Sequence, residues 1–122
     1  MTCQLPHNHH ENENTYDFLC TNIDNIEDFR MVAETFKQLG DPTRLRIFWI
    51  LCHCEECVQN IAAIMNMSSP AISHHLRTLR SSGLIVTRRD GKEVYYKAAS
   101  TKQTELLHYM MEQVMEITCK GC

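Results

Sequence analysis

Residues 67–83 read MSSPAISHHLRTLRSSG, and the reading of this stretch decides the fold. Ser68 or Ser69 suits a helix N-cap, and Pro70 suits the first turn, where its missing N–H has no partner to lose. Ile72, Leu76 and Leu79 recur at spacings of four and three, which lines up one apolar stripe on a helix. Gly83 stands just past the end, where a left-handed cap costs glycine little. The opposite face carries Ser69, Ser73, His74, Arg77 and Arg80. Hydroxyl, imidazole and guanidinium groups reach phosphates and base edges in a DNA major groove. A polar helix face is commonly only a solvated face, so the flanking segments have to carry the argument.

Before this stretch, residues 58–66 (VQNIAAIMN) form a short helical pattern with Ile61, Ile64 and Met65 expected to face inward. Only Met67 and Ser68 separate the two patterns, the spacing of a helix-turn-helix whose second helix reads DNA. After it, residues 84–98 (LIVTRRDGKEVYYKA) have the composition of a β-hairpin about an Asp90–Gly91 turn. Arg88, Arg89 and Lys92 lie at its tip, which suits a wing over a phosphate backbone. The expected DNA contacts are Ser68, Ser69, Ser73, His74 and Arg77 from the helix, and Arg88, Arg89 and Lys92 from the wing.

Residues 68–96 (SSPAISHHLRTLRSSGLIVTRRDGKEVYY) resemble the recognition helix and wing of the ArsR/SmtB metal-responsive repressors, and residues 41–46 (DPTRLR) resemble that family's helix-starting motif. The resemblance runs from about Phe29 to Met115. Its SHHL-x-x-L-x-x-x-GL core and R-R-x-G-x-x-x-x-Y wing are specific together. It implies a homodimeric winged-helix repressor that leaves double-stranded operator DNA when a metal or metalloid binds, or when its thiols change state.

The 122 residues suit one small domain, mainly α with a β-hairpin, and at 43 % apolar they can bury a core. The expected division is a flexible arm over 1–22, a winged-helix and dimerisation domain over 23–118, and a Cys-containing tail over 119–122. The net charge of −3 is unevenly spread. From 68 to 97 there are six cations against two anions, while from 1 to 34 there are seven anions against one cation. A locally basic face is what attraction to DNA requires. No apolar run approaches the roughly 20 residues of a membrane span, and the polar N-terminus suggests a cytoplasmic protein.

Along the chain, Asp24 is expected to start a helix carrying Ile26, Phe29, Ala33 and Phe36, ended by Gly40. Asp41 caps the next helix and Pro42 opens it. Leu45, Ile47, Phe48, Ile50 and Leu51 cover most of its circumference, which predicts burial. Arg44 and Arg46 are expected in surface pairs, and Trp49 in packing. Ser100 and Gln103 suit a capping box for a last helix. Its stripe of Leu106, Leu107, Met110, Met111, Val114 and Ile117 is expected to form a homodimer interface with the first helix.

Seven cysteines in a cytoplasmic chain suggest metal ligands or redox sensing more than structural disulfides. In residues 52–57 (CHCEEC), Cys54 and Cys57 either share one side of a helical turn or bracket a metal across a loop. Thiolates suit Zn(II), Cu(I) and, by the same softness, Cd(II), Pb(II) or the metalloid arsenite. Some thiophilic sensors of the resembled family place a Cys-Val-Cys pair here. Cys57–Val58 matches its first half and Gln59 replaces the second cysteine, a departure from the family pattern in which Cys54 is expected to take over that role. Cys119 and Cys122 (CKGC) can complete the set, and Cys3, His7, His9, His10 and Cys20 are further candidates. Cys52, on an apolar helix, is expected to pack. The Asp-x-His and His-x-x-Glu zinc pattern of the family falls here on Ser100, Lys102, Gln113 and Glu116, of which only the glutamate fits. His108 is expected at the surface. A thioredoxin-like enzyme would need its Cys-x-x-C at a strand-to-helix junction, so no enzyme is expected. Two other readings stay open: a thiol redox or persulfide switch, and a metal-sequestering protein that no longer binds DNA.

Overall fold

The computed structural model describes residues 5–7, 9 and 13–117, and the chain divides into two compact units, residues 1–35 and 36–122. Cys3, His10, Cys119 and Cys122 lie outside the described residues.

In the first unit, α1 spans Glu13–Asn22 and α2, Ile26–Gln38, begins. A helix thus occupies the second half of the expected flexible arm. Asn, Thr and Asp, which have weak helix propensity, make up half of α1, so its composition argues against a helix although Tyr16, Leu19 and Cys20 stand at helical spacing. At the start of α2, Asn25 Nδ2 donates to Asp28 Oδ2 at 2.6 Å, and Glu27 pairs with Arg30 one turn on. Glu27 and Asp28 in the first turn and Lys37 in the last oppose the helix dipole favourably. The helix forms as predicted, yet none of its residues is buried; Ile26, Phe29, Met31 and Val32 are all about half exposed or more.

The second unit holds α3 (Pro42–His53), α4 (Val58–Met65), α5 (Ser69–Ser81), β1 (Ile85–Asp90), β2 (Glu93–Ala98) and α6 (Lys102–Met115). Asp41 caps α3: its Oδ1 accepts from Thr43 N at 2.8 Å and Arg44 N at 3.2 Å. These bonds, with that to the Arg44 amide the largest cause, hold the Asp41 carboxyl below its ordinary pKa. Ile47 and Phe48 are fully enclosed and Leu51 nearly so, while Leu45 is half-buried at the core's edge. Among the described residues Arg44 closes no ion pair; its Nη1 donates to the Gln38 carbonyl and side chain at 3.0 and 3.1 Å, and its charge acts on Asp41.

The core joins α3, α4 and α5 with β1 and α6 through Ile61, Met65, Ile72, Leu76, Leu79, Ile85, Leu107 and Met111. On α4, Ile61 and Met65 point inward as expected, but Ile64 is 58 % exposed and Ala62 is buried in its place. Asn66 ends α4 in the left-handed region at φ 53°, a conformation asparagine tolerates. Ser68, not Ser69, caps α5, accepting from Ala71 N at 3.3 Å.

The hairpin pairs Ile85 with Ala98 through to Asp90 with Glu93. Its two-residue turn is therefore Gly91–Lys92, one position later than the sequence suggested. Gly91 takes φ 63° at the first turn position, the place where a type II′ turn requires glycine. Thr101, rather than Ser100, caps α6 by accepting from Thr104 N at 3.1 Å. On α6, Leu107 and Met111 join the core, while Leu106, Tyr109, Met110, Val114 and Met115 are exposed. No described helix is long and apolar enough to cross a membrane.

Candidate nucleic-acid interface and the residues behind it

Burial of Ile72, Leu76 and Leu79, each at most 1 % exposed, fixes the rotation of α5. The face turned outward carries Ser69, His74, Arg77 and Arg80, all exposed, with Ser73 half-buried beside them. Ser68 is exposed, but its hydroxyl is committed to the helix cap. Arg89 and Lys92 are exposed at the wing tip.

Arg88 is placed differently. Its guanidinium meets Glu55 in a two-pronged pair, Nη2 to Oε1 at 2.6 Å and Nε to Oε2 at 3.2 Å, and stacks over the Tyr95 ring at 4.8 Å. Asp90 stands 3.8 Å from its Nη1. The hydrogen bond to Arg88 is the main cause lowering the Glu55 pKa, and the same bond raises that of Arg88. Arg88 therefore serves first to hold the wing to the loop between α3 and α4. The backbone repeats that connection: Glu56 N donates to Tyr96 O at 2.9 Å, and Tyr96 N donates to Glu56 O at 2.8 Å. Glu56 thus forms an isolated antiparallel bridge to Tyr96 of β2.

Cys54 and Cys57 flank those two glutamates. Cys54 is the C-cap of α3 and Cys57 the N-cap of α4, both in extended conformation. They bracket a loop; they do not share a helical turn. Cys52, Cys54 and Cys57 are free thiols, whereas Cys20, expected as a further ligand candidate, is disulfide-bonded and so is not available as a thiolate. Burial, with the Glu112 charge second, pushes the Cys52 thiol up to about 12, so it stays protonated and packs, as expected. Desolvation and then Glu56 raise the Cys54 thiol as well, and its Sγ donates to Ile50 O at 3.5 Å.

The three-ligand cluster among the described residues is elsewhere: His53, His108 and Glu112. His108 Nε2 lies 2.9 Å from Glu112 Oε1 and 3.3 Å from His53 Nε2, and His53 Nε2 lies 3.7 Å from the same carboxylate oxygen. Trp49 Nε1 donates to the other carboxylate oxygen at 3.3 Å. His108 is half-buried, so the expectation of a surface histidine is corrected. The i, i+4 spacing of His108 and Glu112 was visible in the sequence. The end of α3, which brings His53 to them, was not.

Comparison with known proteins agrees with this architecture. The profile of the bacterial regulatory protein, arsR family, matches residues 41–87. The chain is 38 % identical over 91 residues to a transcriptional repressor SmtB homolog of Synechocystis, covering 75 % of this chain and 69 % of that one. It is 44 % identical over 91 residues to a cadmium resistance regulatory protein CadC homolog of Staphylococcus aureus, covering 74 % and 75 %. Among solved structures, the homodimeric winged helix-turn-helix DNA-binding domain of a possible ArsR-family regulator from Mycobacterium bovis matches with a TM-score of 0.67. It is 28 % identical, and the match covers 76 % of this chain and 85 % of that one. With its helix-turn-helix, basic hairpin and matching relatives, this chain belongs to the ArsR/SmtB family of winged-helix transcription regulators.

Proposed function

We propose that the protein is a homodimeric repressor that releases its operator when a thiophilic cation binds Cys54 and Cys57. Ser69, Ser73, His74 and Arg77 read the major groove, and Arg89 and Lys92 hold the backbone. Arg88 and Ser68 act indirectly, by fixing the wing and the start of α5. The exposed row of Leu106, Met110 and Val114 on α6, with the exposed apolar residues of α2, supplies the dimer surface. A similar winged helix-turn-helix domain that is homodimeric supports the homodimer itself.

The observation that carries the switch is the stitching of loop 54–57 to the wing through Glu56–Tyr96 and Glu55–Arg88. A ring of metal–sulfur bonds closed on Cys54 and Cys57 pulls on a loop bonded directly to β2. The wing's aim then depends on the state of the two thiols. Two thiolates make half of a four-ligand soft site, and Cys119, Cys122 or Cys3 complete it. Cadmium and arsenical resistance regulators among the relatives support a metal or metalloid effector, of which Cd, Pb, Zn and arsenite suit thiolates.

By linkage, the cation lowers DNA affinity by the same factor that DNA lowers cation affinity. The test uses DNA selected from a random pool by the metal-free protein, with binding read by fluorescence anisotropy. Cd(II) is expected to weaken binding roughly five- to 150-fold, the usual range of allosteric coupling. The Cys54→Ser, Cys57→Ser double variant is expected to bind DNA equally well and to ignore Cd(II). Unchanged Cd(II)-driven release in that variant excludes these thiols as the sensor.

A further inference from the structure

The geometry points to a second cation site, built by His53, His108 and Glu112 and suited to a first-row divalent ion of the Zn(II), Co(II) or Ni(II) class. It does not rest on the thiolate reading, because it shares no ligand with it.

The three donor atoms form a closed triangle with sides of 2.9, 3.3 and 3.7 Å. A circle through three such points has a radius of about 1.9 Å, so a cation at the usual ~2.0–2.1 Å from each sits just above their plane. Two imidazoles and one carboxylate are the donor set that borderline divalent ions prefer, and softer ions favour thiolates instead. The Glu112 side chain is only 7 % exposed, whereas those of His53 and His108 are 23 % and 17 % exposed. The site therefore has a buried anionic floor and a side open to solvent, where water supplies a fourth ligand.

The surroundings hold these donors in place. Trp49 Nε1 donates to the carboxylate oxygen that faces away from the triangle, which leaves Oε1 aimed at the two imidazoles. The Trp49 and His53 rings pack at 4.4 Å, and the His53 and His108 rings meet edge-on at 4.9 Å. A carboxylate with so little solvent is costly unless its charge is compensated, and a divalent cation held by all three donors compensates it.

A bound ion here crosslinks the last residue of α3 to the middle of α6. His53 directly precedes Cys54, so the ion also fixes the root of the loop stitched to the wing. The exposed apolar row of α6 is on the same helix as two ligands. The site is thus positioned to set the stiffness of the regulator independently of the thiolate pair.

Titration of the metal-free full chain with Co(II), read by visible ligand-field absorbance, tests the assignment. The expected result is a ligand-field band that, in the Cys54→Ser, Cys57→Ser variant, saturates at one ion per chain without thiolate-to-cobalt charge transfer from that pair. His108→Ala and Glu112→Gln are each expected to lower Co(II) affinity at least about a hundred-fold, and Trp49→Phe about ten-fold as a carboxylate-positioning change. Zn(II) added to the wild type, which needs no variant, is expected to shift the ring proton resonances of His53 and His108. A cobalt band unchanged by His108→Ala, or Zn(II) that moves other histidine resonances and leaves these two in place, makes the cluster a hydrogen-bonded lock and overturns the proposal.

Discussion

Replacing Arg89 with alanine separates the two arginines at the wing. Arg88 is clamped by Glu55 and Tyr95, whereas Arg89 is exposed on the hairpin face that pairs with Val94. If Arg89 neutralises one phosphate per wing, a dimer with two wings loses two phosphate contacts in the variant. The slope of log K against log salt is about −0.9 per contact, so the slope should become shallower by about 1.8. Between about 50 and 200 mM salt, the wild type should then lose about 12-fold more affinity than the variant. Arg88→Ala should behave otherwise. It removes a brace of the wing, so it weakens binding at every salt concentration with a smaller change of slope. Fluorescence anisotropy over a salt series, on selected and on random DNA, reads both effects. Equal slopes for wild type and Arg89→Ala, or a larger slope change for Arg88→Ala, would refute this division of labour.

Four further outcomes follow from the packing. Ile72→Ala empties a fully enclosed site on the inner face of α5 and should cost about 2–5 kcal/mol in urea unfolding, with the slope m unchanged. Val114→Glu places a charge on a residue that is 78 % exposed in one protomer, so sedimentation should show more monomer while far-UV circular dichroism stays the same. Met111→Glu, in contrast, charges the protomer's own core, where Met111 is 8 % exposed, and should unfold the chain rather than merely split a dimer. Asp41→Ala removes the α3 cap. Because the folded pKa of Asp41 is depressed from 3.8, its contribution is fully present above that value and fades as pH falls through the lower folded value. Wild type and variant should therefore differ in denaturant midpoint at neutral pH and converge in strong acid; a constant difference at all pH values would show that the capping charge is irrelevant.

The sequence by itself determined the helix-turn-helix, the hairpin and the burial of α3. Those features rest on local patterns: Ile72, Leu76 and Leu79 at helical spacing, a serine cap, a glycine turn, and an aspartate before a proline. Cap and turn positions were each misread by a single residue, at Ser100 versus Thr101 and at Asp90 versus Gly91, because neighbouring residues of similar chemistry compete for one role. α1 is unexpected from the sequence because Asn, Thr and Asp, weak helix formers, make up half of it. The tertiary structure alone decided what lies against what. No local pattern says that Glu55 reaches Arg88, 33 residues on, or that Glu56 bonds to β2. No pattern brings His53 to His108, 55 residues away, either. The metal-ligand spacing legible in the sequence was that of cysteines in a loop. The closed three-donor cluster arises where the end of one helix meets the side of another, and only the packing of the core fixes that meeting.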